Sequence, residues 1–181
     1  IVYPMDYKTP YQYKDVDIIY HLSCPSTTSF ITQNPIKIMD IILDKTREAM
    51  SINQQALFVN ASSMGALEFV ENEQGAYNIA KRCMEIYLSH SGRRYLNYRL
   101  PSVYGPGMAD DVYIKRCIDK TAYYPPDPDK KYYISHVDEV VDALVQLREV
   151  DIEETTLGTI YESFNSGRRG LHRPAPNSRI V

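Results

Sequence analysis

One stretch of the chain admits few folds. The run Ala56-Leu-Phe-Val-Asn-Ala-Ser-Ser63 is short, mostly apolar and ends in two hydroxyls, and Gly75 to Ser91 carries apolar residues at helical spacing. Tyr95-Leu-Asn-Tyr-Arg-Leu100 is again strand-like and leads into the turn-rich Pro101-Ser-Val-Tyr-Gly-Pro-Gly107. Strand, helix and strand in that order make a βαβ unit, with parallel strands and a right-handed crossover. The same alternation runs along the chain. Strands are expected near Asp17–Leu22, Ala56–Ala61, Tyr95–Leu100 and Thr159–Phe164, and helices near Pro35–Met50, Gly75–Ser91, Asp111–Asp119 and Val137–Val150. The fold class that follows is α/β with a parallel sheet, whose ligand crevice lies at the carboxyl ends of the strands.

The helix of this unit contains Tyr77 and Lys81 in Gly75-Ala-Tyr-Asn-Ile-Ala-Lys-Arg-Cys-Met-Glu85. Positions four apart share a helix face, so the phenol and the ammonium can enter one cleft. A free tyrosine, with a pKa of about 10, is a poor base at neutral pH, and a nearby cation favours its phenolate. With 16 Tyr and 20 Lys plus Arg in 181 residues the spacing alone is weak. Its context is what counts: the hydroxyls of Ser62 and Ser63 precede it, and the βαβ geometry brings strand end and helix to the same crevice.

Several motifs in a fixed order resemble the extended short-chain dehydrogenase/reductases, which act largely on nucleotide sugars. Asp17-Ile-Ile-Tyr-His-Leu-Ser-Cys24 is similar to the family's fourth strand and its His-Leu-Ala-Ala motif. Asn34-Pro35 and Thr46 match the helix that follows, and Ala61-Ser-Ser63 resembles the catalytic serine strand. Tyr77 to Lys81 follow, then Arg99 to Gly107, then Tyr133-Ile-Ser-His-Val-Asp-Glu-Val-Val-Asp-Ala-Leu144, then Tyr161 to Gly167. The resemblance implies a Rossmann-like doubly wound parallel sheet with a small C-terminal substrate-binding region, and an incomplete one. Residues 1–107 would form the NAD(P)-binding domain without its first βαβ units, and residues 108–181 the substrate-binding region interleaved with the last sheet elements.

By the same resemblance Tyr77 is the acid/base for a sugar hydroxyl. Lys81 holds the nicotinamide ribose and depresses the Tyr77 pKa, and Ser63, with Ser62 second, hydrogen-bonds the reacting oxygen. Leu22, Ser23, Cys24, Pro101, Ser102 and Val103 would line an NAD or NADP cofactor, and Ser62 and Ser102 would touch a nucleotide-sugar substrate. The implied activity is that of an epimerase or ketoreductase. Dehydratases and decarboxylases of the family place carboxylates after the catalytic hydroxyl, where this chain has Met64-Gly65. Those reactions are the alternative, as is a non-catalytic nucleotide-binding or interaction domain of the same fold. Ser102 and Ile42 stand where the family usually has asparagines. The family also pairs subunits as a four-helix bundle, here through Pro35–Met50 and Gly75–Ser91, so a homodimer is expected.

Composition excludes more than it assigns. Hydrophobic residues make up 44% and charged residues 24%, ordinary for a globular enzyme domain, and a net charge of −3 offers no footprint for nucleic acid. No run approaches the roughly 20 apolar residues of a membrane span. Cys24, Cys83 and Cys117 form no zinc-type pair motif, so no metal site is expected; they suit a reducing, cytoplasmic setting. No glycine precedes Gly65, so the glycine-rich turn that admits a dinucleotide's pyrophosphate is missing, and the connection from Ser63 to Tyr77 is short for the family. Either segments of a longer chain are absent from this sequence, or it is a truncated or diverged fragment. The stretch Tyr123 to Tyr133, rich in proline and aromatic residues, is a surface loop or part of the substrate site.

Overall fold

The computed structural model describes residues 15–25, 27–67, 75–121 and 133–146, and the backbone of the strand at 158–160. Four parallel strands form the main sheet in the order β1 (Ile18–His21), β2 (Leu57–Ser63), β3 (Tyr95–Leu100) and β6 (Gly158–Ile160). Two short strands, β4 (Ser102–Tyr104) and β5 (Ile134–His136), pair in parallel beside it. The helices are α1 (Thr28–Gln33), α2 (Pro35–Met50), α3 (Gly75–Ser89), α4 (Tyr113–Ile118) and α5 (Val137–Gln146).

Every residue of β2 up to Ser62 is buried, as a strand covered on both faces requires. Alternation divides its side chains between two cores. Phe58 packs with Ile19, Ala49, Met50, Leu88 and Tyr95 on the side of α2 and α3. Leu57 and Val59 pack with Leu96, Ile18, Tyr20 and Leu144 on the side of α5, where the Tyr20 hydroxyl donates to the Leu144 carbonyl at 3.1 Å. Helices on both faces make this the doubly wound arrangement. The two long helices also meet each other through Ile38, Ile42, Ala80 and Met84, with Ile31 of α1 joining them.

Local chemistry explains the boundaries. Pro35 opens α2, where its missing N–H costs nothing. In α5, Asp138 and Glu139 occupy the first turn, and the Glu139 carboxylate accepts the His136 backbone N–H at 3.1 Å, half of a capping box. Val140 and Leu144 of α5 face the sheet, whereas Val141 and Val145 are half exposed, so its apolar face is narrower than the sequence suggests. Gly105 has φ +146°, and a Cβ there would lie 2.6 Å from Val137 Cγ1. A side chain at this point would push β4 away from the start of α5.

Arg93 fastens the amino-terminal edge of the sheet. Its guanidinium donates to the carbonyls of Met50 at 2.7 Å, Asn53 at 2.9 Å and Ala56 at 3.2 Å, and stacks over Phe58 at 4.8 Å. All four expected helices and all four expected strands are present, Pro35–Met50 and Tyr95–Leu100 with the expected bounds. The strand expected at Thr159–Phe164 is described over Gly158–Ile160, its expected remainder lying outside the described residues, and the helix expected at Asp111–Asp119 spans Tyr113–Ile118. The 161–167 motif, residues 123–132 and the 68–74 junction lie outside the described residues.

Candidate active site

Three elements meet at the carboxyl end of the sheet: the end of β2, the 3₁₀ turn Met64–Leu67 and the first turns of α3. Lys81 is buried at 5% exposure, its Nζ donates to the Ala61 carbonyl at 2.7 Å, and it lies 5.7 Å from the centre of the Tyr77 ring. The Ser63 side chain hydrogen-bonds Tyr77, and its Oγ accepts the Gly65 N–H at 3.1 Å. Cys24, three residues beyond β1, reaches the same place. Its thiol hydrogen-bonds Lys81 and donates to the Pro25 carbonyl at 3.2 Å. The structure thus gathers Ser63, Tyr77, Lys81 and Cys24 into one cluster.

Burial dominates the electrostatics of this cluster. It pushes the Tyr77 phenol far above its ordinary range; the neighbouring Cys24 adds to the rise, and the Ser63 hydrogen bond opposes it. Burial also lowers Lys81, against the pull of Cys24 and Glu85, and raises Cys24, against the pull of Lys81. The expectation that Lys81 depresses the Tyr77 pKa is therefore not met here. The Lys81 hydrogen bonds go to Ala61 and Cys24, and desolvation of the phenolate outweighs a cation at the ring face.

One turn beyond Lys81, Glu85 anchors the helix to the sheet. Strand register places Ser62 beside Arg99, and both reach the same carboxylate. Ser62 Oγ donates to Glu85 Oε1 at 2.6 Å; Arg99 Nε and Nη2 donate to Oε1 and Oε2 at 2.7 and 2.5 Å; Arg82 Nη1 adds a bond at 2.9 Å. Burial alone would raise Glu85, but the hydrogen bonds of Arg99 and Ser62, the charge of Arg99 and the bond from Arg82 bring it below the ordinary carboxylate range. Two register positions deeper, on the same face, Asn60 donates to Asn97 at 2.9 Å, so the buried polar row is paired across the strands.

The other expected site residues are placed unevenly. Leu22, 55% exposed, and Ser23 stand open just after β1, and Val103 is half-buried. Pro101 is buried, whereas the Ser102 side chain is exposed and its backbone N–H pairs with the Tyr133 carbonyl at 3.0 Å. Ser62 does not join the cluster around Tyr77, because its hydroxyl is engaged by Glu85. Sequence reasoning passed over His21, Glu85 and Asn78. Thr46 donates its hydroxyl to the Ile42 carbonyl at 2.8 Å, so its oxygen accepts from His21 Nε2 at 3.0 Å. Burial, helped by Lys81, lowers the His21 pKa to about 4 and keeps the ring neutral. Glu85 had a visible signal, a carboxylate four residues after Lys81 on the same helix face.

No family model and no curated protein matches the sequence. Solved structures do. A UDP-N-acetylglucosamine 4-epimerase from Methanobrevibacter ruminantium superposes with a TM-score of 0.65 at 17% identity, over 88% of this chain and 58% of the epimerase. The fold is that of the nucleotide-sugar epimerases and dehydratases. The UDP-glucuronic acid 4-epimerase of Bacillus cereus, solved with UDP-glucuronic acid and NAD, gives 0.58 at 16% identity over 86% of this chain and 55% of its own. An NAD-dependent NDP-hexosamine 5,6-dehydratase of tunicamycin biosynthesis gives 0.58 at 18% identity, over 80% and 54%. The chain therefore spans between half and two thirds of the length of these enzymes. No helix among the described residues is long and apolar enough to cross a membrane.

Proposed function

We propose that this chain is the greater part of an NAD(P)-dependent nucleotide-sugar epimerase or ketoreductase in which Tyr77 is the acid/base. The observation that carries this is the convergence of a buried Lys81 with the half-buried Ser63 and Tyr77 where β2 meets α3. The residues around it suit a nicotinamide cofactor: an exposed Leu22 and Ser23 at the carboxyl end of β1, where a flat ring or ribose could lie, and a lysine aimed into the same corner. When bound, NAD or NADP supplies the chemistry that takes hydride from the sugar and returns it. Leu22, Ser23, Cys24, Lys81 and the Pro101 to Val103 segment would hold it.

The chain's own residues manage the proton. Ser63, whose oxygen accepts the Gly65 N–H, keeps its own O–H to donate to the reacting oxygen. Tyr77 gives its proton to that oxygen in the reductive direction and takes it back in the oxidative one. A carboxylate beside Ser63 would favour loss of water or carbon dioxide; Met64-Gly65 supplies none, so dehydration and decarboxylation rank below epimerisation and ketone reduction. A non-catalytic reading has less in its favour, since a fold kept only for binding would not require a half-buried tyrosine set against a buried lysine. The three free cysteines suit a cytoplasmic setting.

Because burial holds the Tyr77 phenol above its ordinary value, the phenolate needed for oxidation is scarce at neutral pH. The kcat/KM for sugar oxidation by the complete protein should rise steadily as pH increases across the neutral range. Reduction, which uses the protonated phenol, should be flat over the same interval. An oxidation profile without this rise would remove Tyr77 from the role. Incubation with NAD and a panel of UDP-hexoses, followed by NMR of the products, tests the activity itself. Inversion at one sugar carbon, or oxidation of one hydroxyl to a ketone with reduction of NAD, is expected, and unchanged sugars and cofactor throughout would refute it.

The same reading includes a homodimer built on α2 and α3. Ile36 is 70% exposed, and Ile79, Ile86 and Tyr87 are each more than 40% exposed, all away from the protein's own core. Charged side chains cover part of this face: Asp44 pairs with Arg47, and Lys37 lies over Phe30 at 5.8 Å. A dimer mass in light scattering of the complete protein at micromolar concentration is expected, and a monomer mass would rule the bundle out.

A further inference from the structure

The turn that carries Ser63 leans on a residue outside the Ser, Tyr and Lys cluster. A Cβ placed on Gly65 would lie 2.3 Å from Asn78 Oδ1, 2.8 Å from its Cγ and 3.1 Å from its Nδ2, closer than non-bonded atoms approach. Asn78 is 6% exposed, so its short side chain has little room to retreat. The backbone at Gly65 is not in the left-handed region, and the three nearest atoms that a side chain there would meet all belong to the amide of Asn78. Gly65 in turn sends its N–H to Ser63 Oγ at 3.1 Å.

We propose that Gly65 and Asn78 form a size-matched pair that sets the direction of the Ser63 hydroxyl, which makes Asn78 a positioning residue for the reaction. The proposal rests on the reading of Ser63 as the group that holds the reacting oxygen. The chain of contacts is short. Asn78 follows Tyr77 on α3, its amide fills the space in front of Gly65, and the Gly65 N–H fixes one lone pair of the Ser63 oxygen. With that lone pair taken, fewer rotamers remain for the hydroxyl, which leaves it free to serve Tyr77 and an oxygen beside it. Anything that pushes residue 65 away from Asn78 withdraws the N–H and lets the hydroxyl rotate. Because Asn78 shares a helix turn with Tyr77, the pair also sets the spacing between the turn and the helix, and so between Ser63 and Tyr77.

The test is a size swap in the complete protein, assayed with NAD and the nucleotide sugar on which it is most active. Gly65→Ala should lower kcat by about 10²-fold, the scale of an ångström-sized misplacement in a catalytic site, with KM and the cofactor Kd little changed. Asn78→Ala removes all three clashing atoms, so Gly65→Ala/Asn78→Ala should recover turnover to within a few-fold of the unaltered protein. Asn78→Gln presses on Gly65 from the helix side and should slow turnover by itself; it reads the same contact if Gly65→Ala does not fold. Ser63→Ala separates the two ideas. If it leaves kcat intact, the reading of Ser63 fails. If it lowers kcat while Gly65→Ala or Asn78→Gln does not, or while the double variant stays as slow as Gly65→Ala, the positioning pair is overturned.

Discussion

Replacing Tyr77 with phenylalanine in the complete protein should lower turnover of nucleotide sugars by about 10²–10⁴-fold, the range for a lost general acid/base. Only the hydroxyl is removed. The ring remains to pack against Lys81, which lies over its face at 5.7 Å, so the fold and the cofactor Kd should hardly change. Lys81→Ala is expected to behave differently. Lys81 ties α3 to the Ala61 carbonyl and stands beside Cys24, so its loss should weaken cofactor binding as well as turnover. Isothermal titration of cofactor with both variants, alongside steady-state rates, distinguishes the two. A Tyr77→Phe protein with near-normal turnover would end the proposed mechanism.

The largest expected effect on stability comes from Glu85. Truncation to alanine takes the Glu85 carboxylate from Arg99, whose side chain is fully buried, and the acceptor from Ser62. Breaking a buried pair in this way costs about 3–5 kcal/mol, to be read from urea unfolding of the complete protein. Glu85→Leu/Arg99→Met should be less damaging than Glu85→Ala, since no buried charge is left alone. The pH dependence has a definite sign. The folded pKa of Glu85 lies below its ordinary value, so its contribution is complete above the unfolded pKa and is lost as pH falls through the folded one. The gap in stability between the unaltered protein and Glu85→Gln should therefore narrow in acid. An equal gap at all pH values would contradict the account of this network.

The strands and long helices were legible because each carries a period that one core imposes. Ile38, Ile42, Thr46 and Ala49 recur on the buried face of α2, and Leu57 to Ala61 is apolar enough to be covered on both sides. The two short strands were not legible. Ser102 to Tyr104 lies in a stretch rich in turn residues, and it becomes a strand only by pairing with Ile134 to His136, a partner supplied by tertiary structure. The six-residue helix α1 lacks the length for a pattern to show, whereas α4, equally short, was expected within Asp111–Asp119. In the site, the Tyr77 and Lys81 spacing and the hydroxyl of Ser63 were readable from the helix repeat and the βαβ order. The direction of the Tyr77 shift was not, because it depends on how deeply the ring is buried and on the carbonyl of Ala61 taking the Lys81 proton donor. The sequence reading ranked Ser63 above Ser62, and strand alternation with the position of Glu85 gives the two hydroxyls different partners.

Hydride and proton transfer through Tyr77 can be watched in a single turnover. The complete protein is loaded with oxidised cofactor and mixed rapidly with a nucleotide sugar, and the absorbance of the reduced nicotinamide is followed. The account predicts that this band appears with the unaltered protein, faster at higher pH, and is nearly absent with Tyr77→Phe although the cofactor is still bound. A band that forms equally fast in both proteins, or in neither with any nucleotide sugar tried, would contradict it.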